Sequence, residues 1–157
     1  MVKTSFLDIF AKKTEEYYIV NACYNGDMEY IKEYFSSGKN LNIAHKGNSP
    51  LLVAIEQHQV EVIKFLVENG ADVNFSSDKA VTALHIAVDS ANFQTFDKNA
   101  FKEPPTEVIE LLIQNGADIN VKNKYGLTPI ELAKGLATKS GGAPQKIIDL
   151  LKKYATE

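Results

Sequence analysis

Apolar residues along this chain fall in short runs with helical spacing, and the runs are closed by a recurring polar segment. The runs ending in Phe65-Leu66-Val67 and Leu111-Leu112-Ile113 lead into Asn69-Gly70-Ala71-Asp72-Val73-Asn74 and Asn115-Gly116-Ala117-Asp118-Ile119-Asn120. A degraded third copy, Ser37-Gly38-Lys39-Asn40-Leu41-Asn42, keeps the glycine and the closing asparagine. A glycine just past an apolar helical run supplies the left-handed conformation that ends a helix, so Gly70 and Gly116 are predicted helix stops. Upstream, Thr82 and Thr128 are placed to cap a helix, and Pro129 has its φ already set for a first turn. Ala22, Ala54, Ala87 and Ala133 recur at one place in the first helix of each unit, where a larger side chain would hold neighbouring helices apart. Repetition at this scale predicts an array of stacked units, each unable to bury its apolar face alone.

Three segments stand before these helix pairs: Ser49-Pro50-Leu51, Thr82-Ala83-Leu84-His85-Ile86-Ala87 and Thr128-Pro129-Ile130-Glu131-Leu132-Ala133. They resemble the T-P-L-H-x-A signature of the ankyrin repeat, whose period is about 33 residues. Asn42 and Asn74 are 32 residues apart, and Asn74 and Asn120 are 46 apart, about one period plus an insertion of 13. The resemblance covers residues 19 to 154 and implies an all-α ankyrin solenoid of about four helix-turn-helix repeats joined by β-hairpin-like loops. The expected layout is a single domain over 1–157. It has a capping segment at 1–16, repeat one at 17–42, repeat two at 43–74, repeat three at 75–120 with an insertion at 91–105, and repeat four with a C-terminal cap at 121–157. Phe6 and Phe10 are expected on a short amphipathic helix that covers the first repeat. Phe93, Phe96 and Phe101 are expected to fold the insertion back on the array. Thr138 to Ala143 reads as a second enlarged, flexible loop at the same joint of the next repeat. The chain departs from the family at Ala80, where a glycine is usual in the hairpin tip, and at His58-Gln59, where Gly-His is usual.

Composition narrows the function. All 17 basic residues are lysine and the formal charge is −3, which argues against a nucleic-acid surface, since arginine supplies most bidentate phosphate and guanine contacts. No run approaches the roughly 20 apolar residues needed to cross a bilayer, and no signal peptide is evident, so a cytoplasmic protein with no membrane partner is expected. Cys23 has no disulfide partner and is expected to be a buried, inert thiol. His45, His58 and His85 form no ligand cluster, and Gly141-Gly142 lacks the context of a phosphate loop. No nucleophile, base and oxyanion donor converge, so the expected protein is not an enzyme and holds no cofactor or metal. By resemblance, His85 ties a hairpin to a helix start.

The resemblance also implies a binding face of hairpin tips and first helices that grips a folded protein. Carried over position by position, it comprises Tyr24, Asn25, Lys46, Asn48, Glu56, Gln57, Ser76, Asp78, Lys79, Val81, Asp89, Ser90, Lys122, Lys124, Tyr125 and Leu127. Tyr125, with Val81 and Leu127, marks itself out as an apolar or aromatic group at a solvated tip, and tyrosine is a preferred interface anchor. The face is mixed in sign. The chain is similar to the small stand-alone ankyrin proteins of bacteria, some of which are immunity proteins that cover a toxin's active site, while others are effectors delivered into host cells or scaffolds. The alternative is a small-molecule or metal-responsive domain using the Phe-rich insertion. A monomer is expected, with self-association through the end repeats as a further possibility.

Overall fold

A computed structural model describes residues 14–93, 106–140 and 143–155. Eight helices form among them: α1 (Glu15–Asn25), α2 (Met28–Ser36), α3 (Pro50–Glu56), α4 (Val60–Glu68), α5 (Ala83–Phe93), α6 (Thr106–Gln114), α7 (Pro129–Ser140) and α8 (Ala143–Ala155). They pack as consecutive pairs. The first helices α1, α3, α5 and α7 stack in a row, and α4, α6 and α8 form a second row behind them. No strand forms among the described residues, and the connections between pairs are hairpins with at most a single bridge, His45 to Asn48 and Ser76 to Thr82. The fold is thus an all-α repeat solenoid. No described helix is long and apolar enough to cross a membrane.

Local chemistry explains where the helices start. Ser49 Oγ accepts the Leu52 N–H at 3.2 Å, with Pro50 as the first helical residue. Thr128 and Glu131 form a reciprocal capping box: Glu131 Oε2 accepts from Thr128 N–H at 2.8 Å, and Thr128 Oγ1 from Glu131 N–H at 3.4 Å. Those bonds to Thr128 hold the Glu131 carboxyl below its usual range. Thr82, expected as another cap, instead turns its hydroxyl to His85 Nδ1.

The helix ends follow the glycines. Gly70 and Gly116 sit at φ 83° and 87°, and Ala71 and Ala117 N–H groups reach back to Leu66 and Leu112 carbonyls, both at 2.9 Å. These are the six-to-one bonds that close a helix on a left-handed residue. A Cβ at Gly116 would meet nothing within 4 Å, so the cost of a side chain there is conformational alone. Gly116→Val is accordingly expected to lower stability by more than about 1 kcal/mol, read from urea unfolding. A variant that unfolds with the wild type would show that the helix ends some other way.

Both departures from the family adopt the geometry of the residue they replace. His58 has φ 55° where Gly26, its counterpart one repeat earlier, has φ 74°, and Ala80 has φ 53° where Gly47 and Gly126 have 77° and 75°. The turns are therefore intact, and two L-residues are held in the left-handed region. Ala80→Gly is expected to stabilise the protein by about 1 kcal/mol, because the left-handed penalty on an L-residue is removed. An unchanged or lowered melting temperature would contradict this.

The first helices approach closely because their contact residue is small: Ala22, Ala54, Ala87 and Ala133 are all buried. Around them lies a continuous aliphatic core in which Ile19, Leu52, Leu66, Leu84, Leu112 and Leu151 are among the fully buried side chains. Cys23 belongs to this core, and burial pushes its thiol pKa up to about 12, which leaves it protonated and unreactive. Asparagine side chains then tie unit to unit. Asn42 Nδ2 donates to Gly70 O at 3.0 Å while its Oδ1 accepts from Asp72 N–H at 2.7 Å, and Asn74 repeats the pair with Gly116 O and Asp118 N–H, both at 2.8 Å.

Three expectations need correction, and a fourth falls outside the described residues. The first three residues assigned to the insertion, Ala91 to Phe93, continue α5. Of the loop expected from Thr138 to Ala143, Thr138 to Ser140 extend α7 and Ala143 opens α8, leaving only Gly141 and Gly142 between them. Alanine and lysine in this stretch are good helix formers, and only the glycine pair opposes propagation. α1 begins at Glu15, two residues ahead of the expected start of repeat one. Phe6, Phe10, Phe96 and Phe101, with the side chain of Phe93, lie outside the described residues.

Candidate partner-binding groove

Each hairpin is built by its own side chains and backbone. In the first, His45 and Asn48 exchange both backbone bonds, at 2.9 and 3.1 Å, across Lys46 (φ 50°) and Gly47 (φ 77°). Two consecutive left-handed residues give the tight two-residue turn whose twist suits a hairpin. In the second, Ser77 N–H donates to Val81 O at 3.0 Å, and Ser77 Oγ accepts from the Lys79 and Val81 N–H groups at 3.3 and 3.4 Å. In the third, Asn123 takes the part of Ser77: its Oδ1 accepts from Tyr125 and Leu127 N–H at 2.9 and 3.1 Å, and its N–H donates to Leu127 O at 3.0 Å. Neighbouring hairpins are joined by Lys124 N–H donating to Lys79 O at 3.1 Å.

His85 locks the hairpins to the helices. The Leu127 carbonyl, 3.0 Å from His85 Nε2, can only accept, so Nε2 carries the proton and Nδ1 accepts from Thr82 Oγ1 at 3.0 Å. The neutral ring is almost fully buried, and burial pushes its pKa below the usual histidine range, against a smaller upward pull from the Leu127 carbonyl. One imidazole thus spans a hairpin and a helix of one unit and the hairpin of the next.

Between hairpins and first helices runs a groove of about 670 Å³. Ten of the residues expected on the binding face line it: Lys46, Asn48, Glu56, Asp78, Lys79, Val81, Asp89, Ser90, Tyr125 and Leu127. The other six lie outside its walls. Tyr24 and Asn25 stand exposed on α1, Gln57 closes α3, Ser76 makes the hairpin bridge, and Lys122 and Lys124 are exposed, with Lys124 Nζ 4.8 Å from the Tyr125 ring centroid. Tyr125 is 72% exposed and Leu127 37%, so the apolar tip groups have no core to enter.

Residues outside the expected face complete the groove, its apolar floor among them. Gly47, Leu52, Ser77, His85, Ile86, Asn123 and Leu132 also line the groove. The repeat register contains the signal for the apolar ones, since Ile86 and Leu132 each directly precede a spacing alanine. The walls carry charge of both signs. Burial raises the carboxyls of Glu56 and Asp89 above the usual carboxylate range, and Lys79 partly offsets this at Glu56. Glu56 as a residue is nonetheless exposed at the groove rim. Nothing here resembles a metal centre: no group of three His, Cys, Asp or Glu among the described residues could hold an ion.

Comparison with known proteins agrees with the geometry. A family profile described as "Ankyrin repeats (3 copies)" matches residues 19–98, and one described as "Ankyrin repeat" matches 81–124. The chain is 32% identical over 82 residues to the human transient receptor potential cation channel subfamily A member 1, an alignment covering 50% of the chain and 7% of the channel subunit. It is 33% identical over 86 residues to the BRCA1-associated RING domain protein 1 of Caenorhabditis elegans, covering 54% and 12%. An Arf-GAP with ANK repeat and PH domain-containing protein, cnt-1, from the same nematode is 31% identical over 64 residues, covering 41% and 8%. The chain therefore spans only a small part of the length of these relatives. With half of it matched by the three-copy profile, and with stacked helix pairs, hairpin tips and the His85 tie in place, the chain belongs to the ankyrin repeat family, a family of protein-interaction modules.

Proposed function

We propose that residues 1–157 form one non-enzymatic binding domain that holds a folded protein partner in the groove between its hairpins and first helices. The carrying observation is a groove of about 670 Å³ rimmed by the 72% exposed Tyr125 and floored by Leu52, Ile86 and Leu132. An aromatic anchor beside an apolar hollow with polar walls is what a protein interface requires at its centre. The face is rigid before binding, because backbone bonds and His85 fix the hairpins, and little ordering entropy is spent on association. In its finer form the reading is inhibitory occlusion, as by an immunity protein that covers a toxin's active surface. The groove, a hollow suited to a protruding feature of the partner, supports that form.

The test is affinity capture from a lysate of the source organism, wild type beside the double variant Tyr125→Ala, Lys79→Ala. A protein retained by wild type and lost by the variant supports the reading. Equal retention by both baits contradicts it.

A further inference from the structure

The groove is electrically polarised from one wall to the other. Its hairpin side carries Lys46 and Lys79, together with Asp78 packed over Gly47, where a Cβ would come within 2.8 Å of Asp78 Oδ2. Its helix side carries Glu56 on α3 and Asp89 on α5. These two stand at the same register, each two residues past a buried spacing alanine, and so lie one repeat apart in a row that continues to Tyr24 on α1 and Gly135 on α7. Adjacent packed helices are about 8–10 Å apart, a gap that two carboxylate side chains can close around one cation.

Neither carboxylate is neutralised by a group in contact with it. Among the described residues Asp89 has no hydrogen-bond or ion-pair partner, and Glu56 feels only the Lys79 charge across the groove. His85 cannot serve, since both ring nitrogens are engaged with Thr82 and Leu127 and the ring is neutral. Beneath the carboxylates the floor is aliphatic, with Leu52, Ile86 and Leu132. Two partly desolvated anions above an apolar floor match a side chain with a methylene stem and a cationic head.

Building on the binding role proposed above, we propose that Glu56 and Asp89 form a specificity subsite for an arginine side chain on the partner's surface. Its stem lies over Ile86, and its guanidinium bridges the two carboxylates. Arginine fits better than lysine because its planar fork offers donors in two directions, while an ammonium is a compact point charge that is more strongly hydrated. The carboxylates already bear part of their own desolvation cost in the free protein, so that part is not added on association with a cation. The lysines of the hairpin wall repel a cation from that side and fix the orientation.

The experiment is an NMR titration of the intact protein with the capped tripeptide acetyl-Gly-Arg-Gly-amide, following backbone amides and side-chain carboxyl carbons. Saturable shifts are expected at Glu56, Asp89 and Ile86, with affinity at least about tenfold weaker in the Glu56→Gln, Asp89→Asn double variant. That variant is isosteric, removes only charge, and is expected to fold at least as stably as wild type, which its spectrum checks directly. The capped glutamate tripeptide should leave these positions unmoved. Shifts scattered over the surface, or unaffected by the double variant, overturn the proposal, and equal affinity for the capped lysine tripeptide overturns the guanidinium assignment. A failed titration alongside partner capture that still depends on Tyr125 and Lys79 removes this subsite alone. Capture indifferent to those two residues removes the binding role on which it rests.

Discussion

Replacing His85 with alanine is expected to lower unfolding free energy by about 3 kcal/mol, a large part of the roughly 5–15 kcal/mol that holds a domain together. The side chain is almost fully buried and satisfies groups in two repeats, the Thr82 hydroxyl and the Leu127 carbonyl. Truncation leaves the Thr82 hydroxyl without a partner, leaves the Leu127 carbonyl with the Asn123 N–H alone, and opens a cavity between hairpin and helix, and the orphaned hydroxyl and the cavity each cost between about 1 and 3 kcal/mol. Urea unfolding at neutral pH measures the sum. A loss under about 1 kcal/mol would mean that the hairpins are held mainly by their own turns.

The same residue gives the protein a pH dependence of known sign. The folded state holds His85 neutral and lowers its pKa, whereas the unfolded chain takes up a proton near the ordinary value of about 6.5. The unfolded state therefore binds more protons below that value, and the stability His85 supplies is complete above about pH 6.5 and drains as pH falls beneath it. Glu56 and Asp89 act with the opposite sign, but lower, from the ordinary carboxylate range upward, since their folded pKa values are raised. The His85 contribution is therefore expected to fall as pH drops below about 6.5, and His85→Leu should abolish it, as read from urea unfolding at successive pH values. Leucine occupies the same register at Leu52, so the variant is sterically tolerated in this fold.

The second large effect is on binding. Tyr125→Ala is expected to weaken partner affinity by about 2 kcal/mol, roughly 30-fold, while the melting temperature stays within a degree or so. The ring is 72% exposed and is contacted by Lys124 Nζ at 4.8 Å from its centroid, so folding gains little from it. The backbone turn that presents it is built by Asn123 Oδ1, which the substitution leaves in place. Affinity unchanged within about twofold, by calorimetry with the captured partner, would remove Tyr125 as an anchor.

What could be read in advance was whatever a local physical rule encodes. Gly70 and Gly116 announce helix ends because only a left-handed residue closes them, and Ala54 and Ala87 announce close helix packing because only a small residue permits it. His85 was legible through the register of its motif. The asparagine ties were not, because Asn42 and Asn74 reach partners 28 to 44 residues away, and such distances leave no mark on local pattern beyond the recurrence of the asparagine itself. The extension of α7 to Ser140 was missed because Thr138-Lys139-Ser140 before two glycines resembles a loop, while the packed α7 and α8 pair favours continuing the helix. The wall of the groove was read from hairpin positions. Its floor was missed because Ile86 and Leu132 look like ordinary core residues until the repeats are stacked.

The central claim is that the hairpin and first-helix face is where the partner sits. Hydrogen–deuterium exchange of the captured complex against the free protein tests it most directly. Added protection is predicted at the hairpins around Lys46, Lys79 and Tyr125 and along α3 and α5, with α4 and α6 unchanged on the opposite side. Protection confined to α4, α6 and α8, with the hairpins exchanging as in the free protein, would contradict the account.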